Sequence, residues 1–180
     1  LLVDQFDAFF LDLDGVVYIG RRALPQTLPS LQRLRAMGKH IRFLTNNPCK
    51  TRERLVERLR DMGIDAHKEE MFTATWATCL YLQQQGIRTV YPIGSPDMLI
   101  ELQEVGVSVD EERPDAVVVG CEDEATYEQL DRASQLIRQG AKFVATMVDA
   151  WYPSPSGPAM ATGSLVAAIQ TASEQRPVVI

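Results

Sequence analysis

Short apolar runs alternate with amphipathic stretches from the first residues of this chain onward, and the alternation leaves few folds open. Residues 8–13 are apolar and aromatic and are followed by charge and glycine, which predicts a buried strand rather than one turn of helix. Pro25 opens a segment in which Leu28, Leu31, Leu34 and Met37 recur at three-residue steps before Gly38, a helix with a proline start and a glycine stop. Residues 41–44 predict the next strand, ending in Thr45-Asn46-Asn47-Pro48. Residues 52–62 predict a second helix, capped by Thr51, with Leu55, Val56 and Leu59 facing inward and Gly63 ending it. Strand, helix, strand, helix within 63 residues implies a largely parallel sheet with right-handed crossovers.

The pattern continues. Helices are predicted over 75–85, 96–105 and 127–139, and strands over 89–94, 116–119 and 142–146. The Pro/Ser/Gly run 152–158 predicts a surface loop, Thr162 a cap for the helix 164–172, and 178–180 one more strand. The chain stops at this apolar strand with no closing turn or helix, as if something should follow. No repeat stands out beyond the β/α alternation.

With 180 residues, 46% of them hydrophobic, the chain can bury a core in one domain or two small ones. A formal charge of -6 provides no basic surface for a nucleic-acid polymer or an anionic membrane. No apolar run approaches the roughly 20 residues that span a bilayer. Cys49, Cys79 and Cys121 are odd in number and widely spaced, which fits neither a zinc pattern nor a disulfide framework and predicts a reducing, cytoplasmic setting. No signal peptide is visible, since acidic residues begin at Asp4.

Chemistry is concentrated at Phe9-Phe10-Leu11-Asp12-Leu13-Asp14-Gly15-Val16, where two carboxylates stand two residues apart at the end of a strand. Ligands of open α/β sheets bind beyond the carboxyl ends of strands, and a carboxylate pair with a turn carbonyl suits a hard divalent cation. A carboxylate can attack phosphorus when a cation neutralises the phosphoryl oxygens. Asp12 suits attack and metal ligation. Asp14 suits protonation of the leaving group and later deprotonation of water, its carbonyl also reaching the ion. An acidic pair after a strand is also common in plain loops. Thr45 ends a second strand, where its hydroxyl and the following amides could hold a phosphoryl oxygen, or simply cap a turn; Asn46 and Asn47 share that ambiguity. His40 and His67 read as loop residues, Cys49 has no paired base, Trp76 and Trp151 read as packing residues, and Arg21 and Arg22 as solvated. No dinucleotide or Walker motif is present.

Taken together, Asp12-Leu13-Asp14-Gly15-Val16-Val17-Tyr18 with Gly20 and Leu44-Thr45-Asn46-Asn47 resemble the haloacid dehalogenase superfamily of phosphatases, in its NagD-like or nitrophenylphosphatase branch. Further agreement lies in Val118-Val119-Gly120, Tyr127-Glu128-Gln129-Leu130, the segment from Gly140 to Thr146, and the segment from Gly163 to Ile169. The resemblance implies an α/β fold with a Rossmann-like parallel-sheet core and an inserted C2-type α/β cap. It places the core at 1–87, the cap at 88–176 and the start of a return to the core at 177–180. It implies Asp12 as nucleophile, Asp14 as acid/base, Thr45 and Asn46 as phosphate binders, and Mg²⁺ held by Asp12 and the carbonyl of Asp14. Asn47, Asp149 and Tyr152 would face the substrate, a small phosphorylated metabolite, and a homodimer through the cap is a further expectation.

The chain departs from the family pattern at Met147, Met160-Ala161 and Glu122, where relatives commonly carry asparagine, Pro-Gly and aspartate. Relatives also continue past a strand like 177–180 into a segment with a phosphate-steadying lysine and then an acidic metal motif. The expectation is therefore a fragment of a longer phosphatase, with little turnover from the 180 residues alone. Two other functions fit the same residues: a phosphotransferase, and a non-catalytic metabolite-binding or structural α/β protein.

Overall fold

The computed structural model describes residues 2–121, 124–154 and 156–180; Glu122, one of the family departures, lies outside them, as does Pro155 of the segment predicted as a loop. The chain packs as two compact units, Leu1–Asn46 with Arg52–Thr73, and Asn47–Thr51 with Ala74–Ile180.

The first unit contains β1 (Ala8–Asp12), a small hairpin of β2 (Tyr18–Ile19) and β3 (Arg22–Ala23), α1 (Thr27–Ala36), β4 (His40–Thr45), α2 (Arg52–Asp61) and β5 (Met71–Thr73). The three longer strands form a parallel sheet in the order β1-β4-β5, in register from Ala8 opposite His40 to Asp12 opposite Leu44. Side chains alternate across a sheet with period two. Ile41, Phe43 and Met71 accordingly enter a core with Leu13, Val17, Tyr18, Leu31, Leu55 and Leu59. The other face is less covered. Phe10 is 65% exposed, so β1 is not the buried strand that its composition predicts. Both helices end on a left-handed glycine, Gly38 and Gly63, each followed by an amide that reaches back to the helix, Lys39 N–H to Leu34 and Ile64 N–H to Leu59.

The second unit contains α3 (Ala74–Gln84), β6 (Thr89–Ile93), α4 (Pro96–Glu104), β7 (Ser108–Val109), β8 (Ala116–Val119), α5 (Tyr127–Arg138), β9 (Lys142–Ala145), a hairpin of β10 (Trp151–Ser154) and β11 (Gly157–Met160), α6 (Thr162–Ser173) and β12 (Val178–Val179). Its five-stranded parallel sheet runs β12-β9-β8-β6-β7. The central strand β8 is buried on both faces. Ala116 and Val118 meet Cys79 and Leu82 of α3 and Met98 and Leu102 of α4. Val117 and Val119 meet Leu136 and Ile137 of α5 and Val166 and Ile169 of α6. A strand covered on both faces reads as a continuous apolar run, which is why 116–119 is legible in the sequence.

The family resemblance places a boundary at 87/88; Cys79 and Leu82 of α3, which precede it, pack into the second core, and the second compact unit takes up the chain from Ala74. The strand β12, in the segment that the resemblance assigns to the start of a return to the core, pairs with β9, Val178 opposite Val144 and Val179 opposite Ala145. Several expectations are corrected by packing. Residues 152–154 and 157–158 of the predicted surface loop are strand residues of the antiparallel pair β10–β11, with Tyr152 opposite Ala159 and Ser154 Oγ donating to the Gly157 carbonyl at 2.6 Å. Thr162 does not cap α6. It is the first helical residue, and its hydroxyl donates to the Gly120 carbonyl at 3.1 Å. Cys49 and Cys121 form a disulfide across 72 residues of sequence, so the cysteine argument for a reducing setting loses its basis; Cys79 is free and buried. Among the described residues no helix is long and apolar enough to cross a membrane.

Candidate active site

Asp12 is the last residue of β1, and Asp14 follows in the turn that leaves the sheet. Leu13 between them is fully buried, which anchors the turn and leaves both carboxylates exposed. Leu13 N–H donates to Asp12 Oδ1 at 2.8 Å, fixing the rotation of that carboxylate. The chain then coils around a single oxygen. The amides of Val17 and Tyr18 both donate to the Leu13 carbonyl, at 3.0 and 3.1 Å, while Gly15 N–H donates to the Tyr18 carbonyl at 2.8 Å. Gly15 has φ +84°, a left-handed conformation that favours glycine and turns the chain straight after Asp14.

Thr45 ends β4, the parallel neighbour of β1, one residue beyond the Leu44 that pairs with Asp12. It is buried, and Asn46 follows it in the same unit. Asp12, Asp14, Thr45 and Asn46 are thus gathered at the carboxyl end of one small parallel sheet, the end where α/β sheets bind ligands.

Asn47, Asp149 and Tyr152 belong to the second unit. The Asn47 side-chain oxygen accepts from Cys49 N–H at 2.9 Å, closing a turn. Asp149 precedes β10, and its carbonyl accepts from Gly163 N–H at 2.9 Å. Tyr152 lies on β10, exposed.

One pairing near the acidic turn escapes sequence reasoning: Arg58 lies in no motif, and Tyr18 closes the Asp12–Tyr18 motif without a role of its own. Tyr18 is buried, and Arg58 of α2 lies over its ring with Cζ 4.4 Å from the centroid. Burial raises the Tyr18 phenol above its ordinary range, as do the negative charges of Asp14 and Asp12, with Arg58 opposing. Forty residues separate Arg58 from Tyr18, so only the fold reveals the pair.

The donor set fits a hard cation that keeps part of its water. Among the described residues no group of three or more His, Cys, Asp or Glu could hold a metal. Asp12 and Asp14 offer oxygen alone, which suits Mg²⁺ bound through one or two carboxylates rather than a closed zinc site. The Asp12 carboxylate and the Asp14 carbonyl are the groups that would hold it.

Comparison with known proteins gives the class. A model of haloacid dehalogenase-like hydrolases matches residues 9–108. An acid sugar phosphatase of Staphylococcus aureus is 32% identical over 175 residues, covering 96% of this chain and 68% of the relative. The crystal structure of a 4-nitrophenylphosphatase from Thermotoga maritima superposes with a TM-score of 0.94 at 32% identity, covering 100% of this chain and 69% of that one. A glycerol phosphate phosphatase from Mycobacterium tuberculosis, solved in complex with magnesium, superposes with a TM-score of 0.89 at 30% identity, covering 99% of this chain and 55% of that one. The chain belongs to the haloacid dehalogenase-like hydrolase family. Within it, fold and relatives define a phosphomonoester hydrolase.

Proposed function

We propose that the protein hydrolyses a small phosphate monoester through an aspartyl-phosphate on Asp12, with Mg²⁺ as cofactor. The observation that carries this is the placement of Asp12 and Thr45 at the ends of adjacent parallel strands, with Asp14 on the turn between the sheet and the β2–β3 hairpin. A carboxylate, a hydroxyl and a second carboxylate at one sheet end match nucleophile, phosphate anchor and acid/base.

The Asp12 carboxylate attacks phosphorus, forming a new O–P bond as the ester P–O bond breaks. Asp14 gives its proton to the departing alkoxide. The Thr45 hydroxyl and Asn46 amide donate to the phosphoryl oxygens and hold the group in line. Asp14, now a carboxylate, takes a proton from water as the water attacks phosphorus, releasing phosphate and restoring Asp12. The Asp12 carboxylate and the Asp14 carbonyl would hold Mg²⁺, which would supply charge neutralisation for the phosphoryl oxygens.

Relatives named for sugar phosphates and glycerol phosphate support small polyol or sugar phosphates as the substrate class to test first. Asn47, Asp149 and Tyr152 are assigned to recognition of the leaving group by family resemblance. The test is hydrolysis of p-nitrophenyl phosphate by the full-length protein and its Asp12→Asn variant, with and without Mg²⁺. The expected loss in the variant is at least about 1,000-fold, of the order seen when a nucleophile is removed. Equal activity in both proteins contradicts the assignment of Asp12.

A further inference from the structure

We propose that Arg58 is a positioning residue for Asp14, acting through Tyr18 and the β2–β3 hairpin; this rests on the acid/base role of Asp14 proposed above. Arg58 holds the hairpin at two points. Its Nη2 donates to the Gly20 carbonyl at 2.6 Å, at the hairpin turn, where Gly20 has φ +59°. Its guanidinium plane covers the Tyr18 ring at the other end of β2. Two fixed points on so short a strand leave it little freedom to tilt.

That strand is tied to the acid. Tyr18 bridges to Asp14, and the Tyr18 carbonyl accepts from Gly15 N–H at 2.8 Å. The hairpin is also pinned from its far side, where the Thr27 hydroxyl donates to the Val17 carbonyl at 2.9 Å and Leu24 N–H donates to the same oxygen at 3.1 Å. The chain of contacts therefore runs from α2 through Gly20 and Tyr18 to Gly15 and Asp14. Asp14 itself is exposed and stands on a turn rather than in the sheet, so its position depends on what its neighbours are fastened to. Supporting contacts of this kind hold a reacting group within about 0.5 Å of productive geometry. Arginine suits the task because its planar fork stacks and donates at once.

A general acid matters most when the leaving group is poor. p-Nitrophenolate departs with little help, whereas an alkoxide needs the proton. The quantity to measure is kcat/KM, which covers the steps through formation of the phosphoenzyme, for p-nitrophenyl phosphate and for glycerol phosphate. Arg58→Ala is expected to lower the value for glycerol phosphate by about 10-fold or more beyond its effect on p-nitrophenyl phosphate, a fraction of what a general acid supplies. Arg58→Lys keeps the charge over the ring and should recover part of the loss. In an Asp14→Asn background the further change to Arg58→Ala should have almost no effect, since the two act in series. Equal losses on both substrates, or a full additional loss in the Asp14→Asn background, overturn the proposal. If Arg58→Ala does not fold, the Arg58→Lys ratio decides the same question. Unchanged activity of Asp12→Asn would instead sink the nucleophile assignment, and it leaves the substrate ratio of the Arg58 variants as a separate result.

Discussion

Gly163 shows how a single residue shapes the loop that carries Asp149. A Cβ built there would lie 2.6 Å from the Asp149 carbonyl and would also run into the Val148 carbonyl, both rigid backbone atoms. The same glycine donates its N–H to Asp149, so close approach of the two backbones is what seats the loop. Gly163→Ala is expected to cost about 1–3 kcal/mol, the usual range for overpacking, with the shift falling on 148–149. Denaturant unfolding of the variant measures this, and a variant as stable as the parent would show that the loop gives way freely. At this scale the candidates Asp12, Asp14 and Thr45 stood out only together and through the family resemblance, because an acidic pair after a strand is common in loops and a threonine there can simply cap a turn. The pairing of Arg58 with Tyr18 had no such signal, because an arginine on an amphipathic helix looks like solvated charge until the fold lays it over a ring.

Among the elements, α1 and the short segment before β5 are joined by an ion pair that sets a pH dependence. Arg35 donates to both oxygens of Glu70, at 2.7 and 2.8 Å, and His67 N–H donates to the same carboxylate at 3.0 Å. Burial alone would raise the Glu70 carboxyl, but these hydrogen bonds and charges outweigh it and hold the group below the ordinary value of 4.5. A carboxyl depressed on folding contributes stability that is complete above its unfolded value and is lost as pH falls through the folded one. Unfolding free energy should therefore decline as pH drops below about 4.5. Glu70→Gln should be about 1–3 kcal/mol less stable at pH 7 and show a flatter acid limb. Denaturant curves across this range test the claim, and parallel acid limbs would refute it. The elements themselves were legible where length and periodicity were strong: every predicted helix exists, with ends shifted by one or two residues, as helix ends usually are. The hairpins β2–β3 and β10–β11 and the strands β5 and β7 were missed because two to four residues are too few to show a period. Thr126 was missed although its signal was present. It caps α5 through a reciprocal pair with Gln129, at 3.2 and 2.8 Å, the threonine-x-x-glutamine signature of a capping box.

In the whole molecule, two units with separate cores divide the labour of the fold. The alternation of strands and helices predicted parallel-sheet architecture, and the family resemblance its division in two, whereas α3 carries apolar residues that either core could accept. The Cys49–Cys121 bridge was equally hidden, since disulfide partners 72 residues apart leave no local spacing to read. Such long-range cross-links contribute roughly 2–4 kcal/mol in proteins generally, and this one fastens 47–51, the segment directly after Thr45 and Asn46, within the second unit. The account as a whole stands on covalent chemistry at Asp12. Full-length protein mixed with substrate and Mg²⁺, quenched in acid and treated with borohydride, reduces an acyl phosphate to the alcohol and marks the residue that carried it. Peptide mapping should then find homoserine at position 12 and nowhere else. Continued turnover with no reduced residue at position 12, or with the mark on another side chain, would contradict it.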